Sequence, residues 1–196
     1  MILPIVAYGD PVLKKKAQPI EKNHPNLKQL IDDMWETMYA AYGVGLAAPQ
    51  IGESIRLFIV DGSPFGKDNS LDIVERRDIR DFKKVFINPE ITSYSGPQES
   101  FNEGCLSIPD VREDVVRQAT IEIAYYDENF KHITEEISGI AARIVQHEYD
   151  HVEGILFTDK LGPLKKRLLK TKLNQISRGK ITPEYTMRFP DKNALR

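Results

Sequence analysis

The sequence has little cysteine and no long apolar run. A single cysteine among 196 residues, Cys105, excludes an internal disulfide and favours a reducing compartment. No apolar stretch approaches the roughly 20 residues that a membrane-spanning helix needs. The first residues also lack the basic stretch that begins a secretory signal peptide. We therefore expect a cytoplasmic protein that makes no use of membranes.

A strong excess of charge of one sign is also missing. The net charge is −2, with 29% charged and 41% hydrophobic residues, which is ordinary for a soluble globular protein and gives no argument for specific DNA binding. Only residues 160–182 depart from this balance, with eight Lys or Arg and no acid. The length fits one domain, which we place at residues 1–180, followed by a polar tail at 181–196.

Apolar periodicity predicts an α+β fold. Apolar residues at intervals of three and four predict three helices, at residues 26–42, 139–152 and 163–177. Shorter apolar runs, several of them alternating, predict short strands, at residues 56–60, 85–88, 90–94, 115–126 and 131–137. The mixed-charge stretch between the first two strands, residues 61–84, is predicted as a long loop, and a short helical turn within it stays open. We expect short antiparallel strands packed around the middle helix, with an N-terminal and a C-terminal helix beside them.

The middle helix carries a metal-binding motif. His147 and His151 are four residues apart, so on a helix their side chains share one face about 5–6 Å apart at Cβ. Glu148 follows the first histidine and can reach a water molecule in the same site. This H-E-x-x-H pattern is typical of metal-dependent hydrolases.

A catalytic site of this kind needs a third protein ligand. Phe157 stands where an extended motif would place a third histidine, and Glu153 falls on the wrong face of the helix. Glu184 lies beside a proline in the tail, which is a poor place for a rigid ligand. Cys105 remains, and a thiolate binds divalent metals tightly. We therefore predict that Cys105 joins the two histidines as the metal ligands.

Three segments together resemble the peptide deformylase family. They are GVGLAAPQIG at residues 43–52, EGCLS at residues 103–107 and QHEYDH at residues 146–151. The N-terminal residues are also similar to that family, and the resemblance covers roughly residues 1–175. It implies a hydrolase that removes the formyl group from formyl-methionine at the start of newly made polypeptides. It also implies one divalent metal ion, most often Fe(II), with Zn, Ni or Co able to occupy the site.

The resemblance assigns roles to further residues. By matching position, Glu148 would be the acid/base, and Gln50 and the backbone N–H of Leu106 would face the developing oxyanion. The glycine-rich segment before Gln50 is expected to pair with the peptide substrate in β fashion. The residues that we expect to bind substrate are Val44, Gly45, Gly104, Ile140 and Ile144.

Two departures from the family pattern concern the substrate pocket. Residues 61–84 are longer than in many members, and Arg143 stands one helical turn before His147, where the family often has an aliphatic residue. Because of Arg143, the resemblance does not assign which residues line the methionine pocket. Three alternatives stay open for Arg112: it binds Glu103, as the resemblance suggests, it binds a substrate carbonyl, or it is an exposed arginine that does neither.

The basic helix at residues 163–178 suggests a ribosome contact. Its positive charge attracts phosphate, and the helix resembles one that docks on the ribosome in deformylases. Leu164, Leu168, Leu173 and Ile176 are predicted to form its apolar side. Two rival interpretations stay open, namely a metalloprotease with Glu184 as third ligand and a non-catalytic, metal-stapled module that binds RNA.

Overall fold

The computed structural model describes residues 1–69 and 71–190 and has the predicted mixed architecture. Four α-helices lie in the described chain: α1 Leu27–Ala40, α2 Ile73–Arg80, α3 Gly139–Val152 and α4 Pro163–Ser177. The strands are β1 Ile5–Val6, β2 Gly45–Ala47, β3 Leu57–Asp61, β4 Lys83–Cys105, β5 Ile108–Tyr126, β6 His132–Ser138 and β7 Met187–Arg188. Among the described residues, no helix is long and apolar enough to cross a membrane.

Five strands form one antiparallel sheet in the order β2-β3-β4-β5-β6. Strands β4 and β5 are much longer than predicted, with 23 and 19 residues. The sequence pattern split β4 at Pro89, which has no N–H to donate. The structure instead keeps one strand and absorbs the proline in a register shift between Ile87 and Glu90, which is where prolines are tolerated in sheets.

Helix α3 is the buried centre of the fold. It runs from Gly139 to Val152 as predicted, and Gly154 follows it with φ 74°, a left-handed conformation that glycine adopts without strain. Apolar residues of α3 pack against those of the sheet in one core, which includes Phe58, Phe86 and Val145. The motif is therefore held on a helix with little freedom to move.

The predicted loop at residues 61–84 contains helix α2 and a short 3₁₀ helix, Ser63–Lys67. Asp72 caps α2, because its Oδ1 accepts hydrogen bonds from the N–H groups of Val74 (2.7 Å) and Glu75 (2.9 Å). An aspartate followed three residues later by a glutamate is a helix-start signal. A short helical turn in this stretch was left open by the sequence, because the helix has only eight residues and few of them are apolar.

Two predictions for the C-terminal part need correction. Residues 187 and 188 of the predicted polar tail form β7, which pairs in parallel with β1, while residues 191–196 lie outside the described residues. Helix α4 packs through Leu169, Leu173 and Ile176, whereas Leu164 and Leu168 are 70% and 72% exposed. Leu164 and Leu168 were misplaced because, at 3.6 residues per turn, they project away from the packed side.

Candidate metal centre

One thiol and two imidazoles converge at the end of strand β4. Cys105 is the last residue of β4, and His147 and His151 project from α3. One ligand atom from each residue lies within 4.8 Å of the other two. The Cys105 Sγ and the His151 Nε2 are 3.3 Å apart. The structure thus brings the three predicted ligands together.

The residues present fit a divalent metal ion. The Nδ1 of His147 lies 3.0 Å from Glu103 Oε2, which fixes the ring and leaves its Nε2 facing the centre, as in many metal-binding histidines. The buried Nδ1 of His151 has no hydrogen-bond partner among the described residues. A thiolate and two imidazoles are a donor set that zinc and neighbouring transition metals accept.

The rival third ligands lie elsewhere. Glu153 forms ion pairs with Arg56 (2.6 Å) and Lys16 (2.8 Å). Phe157 stacks on the ring of His147, with centroids 6.1 Å apart. Glu184 is exposed at the rim of the neighbouring pocket, and the metal-ligand group found in the described chain does not contain it.

Glu103 is the anchor that orients His147. Arg117 binds it in a bidentate manner, with Nε 2.7 Å from Oε1 and Nη2 2.9 Å from Oε2. A second arginine, Arg143, donates to Oε1 at 3.1 Å. Burial would raise the pKa of Glu103, but Arg117 and His147 outweigh it and hold the pKa well below its usual range. Glu103 therefore stays ionised and keeps accepting the His147 N–H.

Arg112 is exposed and does not bind Glu103, so the alternative that the resemblance suggests for this residue is wrong. It donates instead to the Oδ1 (2.9 Å) and the carbonyl oxygen (2.5 Å) of Asn102. The reason is register: Arg112 lies opposite Gly104, and Glu113 lies opposite Glu103. Because side chains alternate between the faces of a sheet, Arg112 and Glu103 point to opposite sides. Arg117 and Arg143 take the place that was expected for Arg112.

Glu148 lies buried beside the ligand group. Its Oε2 has no hydrogen-bond partner among the described residues. Burial raises the pKa of Glu148 to about 7, so this carboxyl can take up and release a proton near neutral pH. Gly45 leaves room for it, because a Cβ at Gly45 would lie 2.4 Å from Glu148 Oε1.

Gln50 has its amide orientation fixed by three contacts. Its Oε1 accepts a hydrogen bond from the N–H of Ala47 at 2.9 Å. Its Nε2 donates to Ser107 Oγ at 3.3 Å and lies 3.5 Å from Cys105 Sγ. The side chain therefore ties down its own turn and also presents an N–H to the ligand group.

A pocket of about 590 Å³ is adjacent to the ligands. Of the predicted substrate and oxyanion residues, the structure places six along it: Val44, Gly45, Gln50, Gly104, Leu106 and Ile144. Ile140 lies in the core and is not among the lining residues. Ile140 lies two helical turns before His147, whereas the residues of α3 that line the pocket lie within about one turn of His147.

Several residues of this pocket are not predicted by the sequence. Phe65 and Phe101 contribute aromatic walls, with ring centroids 6.5 Å apart. Residues 182–185 also line it, although they were predicted as tail. No local pattern marks these residues, since each reaches the pocket through the tertiary fold.

Comparisons with known proteins agree on one family. The family model described as polypeptide deformylase matches residues 2–167. A peptide deformylase of Christiangramia forsetii is 61% identical over the full length of both chains. One of Flavobacterium johnsoniae is 56% identical over 96% of each chain. The crystal structure of a peptide deformylase from Legionella pneumophila has a TM-score of 0.75 at 39% identity, covering 92% of this chain and 98% of its own.

Proposed function

The chain belongs to the peptide deformylase family and removes the N-formyl group from newly made polypeptides by metal-dependent hydrolysis; on this premise, we propose the role of each residue. Cys105, His147 and His151 hold one divalent ion, which is Fe(II) in the cell and which Zn, Ni or Co can replace. The observation that carries this assignment is the convergence of these three ligands beside Glu148. Its first test is formate release from formyl-Met-Ala.

A metal ion held by these three residues would supply Lewis acidity, which lowers the pKa of a water molecule in the site. Glu148 takes the proton of the attacking water and later gives it to the leaving amine. The pKa of about 7 of Glu148 suits both directions of transfer, because an acid/base works best near the operating pH. The thiolate ligand Cys105 needs a reducing compartment, so we place the protein, as a single catalytic domain, in the cytoplasm.

Gln50 and the backbone N–H of Leu106 stabilise the developing oxyanion. Both line the pocket beside Cys105, and the Gln50 amide is already oriented by Ala47 and Ser107. Donors fixed before the reaction do not need to reorganise when charge develops.

The peptide substrate binds along the edge of the sheet. Strand β2, Gly45–Ala47, is the last strand of the sheet on its side, so its outer edge is free to pair with an extended peptide. The methionine side chain enters the apolar part of the pocket, formed by Val44, Ile144, Phe65 and Phe101.

Replacing Gln50 with alanine is expected to lower kcat for formyl-Met-Ala by about 10²–10³, the usual loss for one oxyanion donor. The matched control is Gln29→Ala on the exposed side of α1, which should keep its rate. Steady-state formate release measures both. An unchanged kcat in the Gln50 variant would remove this residue from the oxyanion site.

Helix α4 is proposed to contact the ribosome. Lys166, Arg167 and Lys170 are exposed, and none has an ion pair among the described residues, whereas Lys165 pairs with Glu113 at 2.7 Å. Exposed Leu164 and Leu168 lie among these cations. Free cations are what phosphate contacts require.

The charge-reversed variant Lys166→Glu/Lys170→Glu is expected to lose ribosome co-sedimentation and to keep formyl-Met-Ala hydrolysis. The matched control reverses two exposed lysines elsewhere, Lys22→Glu/Lys131→Glu, and should still co-sediment. Equal co-sedimentation of both variants would refute the contact.

A further inference from the structure

Residues 182–190, which we call the C-terminal strap, pack against the rest of the fold. Its strand β7 pairs with β1 through the N–H of Ile5, which donates to the carbonyl oxygen of Thr186 (2.9 Å), and the N–H of Ala7, which donates to that of Arg188 (2.9 Å). Met187 and Phe189 pack on the apolar cluster that also contains buried Leu173 and Ile176 of α4. These contacts hold the strap beside the active-site pocket, which its first four residues line.

One strap residue reaches the turn that follows the metal ligand. The hydroxyl of half-buried Tyr185 donates a hydrogen bond of 2.7 Å to the carbonyl oxygen of Leu106. Leu106 and Ser107 are the two residues between β4 and β5, since Cys105 pairs with Ile108. This short turn carries both Cys105 at its start and the N–H proposed for the oxyanion.

The same turn is held from its other side. The carbonyl oxygen of Ser107 accepts a hydrogen bond from the N–H of Tyr8 at 2.8 Å. Thus Tyr8 holds one carbonyl of the turn and Tyr185 holds the other. Without the hydroxyl of Tyr185, the Leu106 carbonyl loses this contact. The carbonyl and the N–H of Leu106 belong to two adjacent peptide planes that meet at its Cα, so in this short turn a shift of the first plane also displaces the second and the N–H that it carries.

We infer that Tyr185 is a positioning residue, which holds Leu106 so that its N–H points at the oxygen of the substrate's formyl group. Tyr185 acts through Leu106, so the inference rests on the proposed oxyanion role of Leu106. Small displacements of a preoriented donor reduce the rate of the chemical step more than they reduce substrate binding. Loss of the hydroxyl should therefore lower kcat and leave KM unchanged.

The test compares Tyr185→Phe with Tyr94→Phe. The first variant keeps the ring and removes only the hydroxyl; the second makes the same change at an exposed tyrosine of β4 whose hydroxyl has no hydrogen bond among the described residues. For Tyr185→Phe, kcat should fall about three- to tenfold, the range of one neutral hydrogen bond. KM, metal content and Tm should match those of Tyr94→Phe.

A second readout is independent of turnover. The amide hydrogen of Leu106 should exchange faster in Tyr185→Phe, as measured by NMR, with no change in Tyr94→Phe. Unchanged exchange at Leu106 would overturn the inference and leave the roles of Glu148 and Gln50 standing, because their own variants test those. Faster exchange with an unchanged kcat would overturn it as well, and would remove Leu106 from the oxyanion site.

Discussion

Replacing Glu148 with glutamine is expected to lower kcat by about 10²–10⁴, the range that a positioned acid/base contributes. Glutamine has nearly the same shape, so the buried site should keep its packing and its metal. It cannot accept the proton of the attacking water. The change should therefore fall on kcat, with KM within a few fold. Formate release and metal analysis of one preparation measure both quantities.

Glu21→Gln is the control for the same chemical change at an exposed position, and its rate should equal that of the unmodified protein. If Glu148→Gln kept its rate, proton transfer would have to be assigned to another group. If it lost its metal, Glu148 would be a ligand rather than the acid/base. The non-catalytic, RNA-binding interpretation predicts no formate release from any of these proteins.

Replacing Cys105 with serine is expected to remove both the metal and the activity. A serine hydroxyl is a far weaker ligand than a thiolate for transition metals, and two histidines alone leave the site with one ligand too few. Metal content after gel filtration should fall from one ion per chain to well below half. Formate release should fall in the same proportion or more.

Glu184→Gln separates this account from the metalloprotease interpretation. Glu184 lies on the pocket rim, outside the Cys105, His147 and His151 group, so its variant should keep a full metal content. A Cys105→Ser protein that retained its metal, together with a Glu184→Gln protein that lost it, would reverse the assignment of the third ligand.

The three residues of the candidate metal site could be found from the sequence because each left a local signal. His147 and His151 have the spacing of one helix face, and Gly154 marks where that helix ends. Cys105 is the single cysteine, so it is the one thiolate that could serve as the third ligand. A site whose residues are marked by their type and by short spacings in the chain can be predicted from the sequence.

The residues that orient the ligands could not be predicted, because they depend on register and on long-range packing. Arg117 and Arg143 reach Glu103, whereas Arg112, which is nearer in sequence to Glu103, points to the other face of the sheet. Tyr185 meets Leu106 across 79 positions of the chain. No spacing rule connects such pairs.

The most direct test is to titrate Fe(II) anaerobically into the protein after metal removal and to measure formate release from formyl-Met-Ala at each ratio. The rate should rise in proportion to added metal and level off at one ion per chain, since Cys105, His147 and His151 form one site. Absence of formate at one equivalent, or a rate that does not depend on metal, would contradict the account.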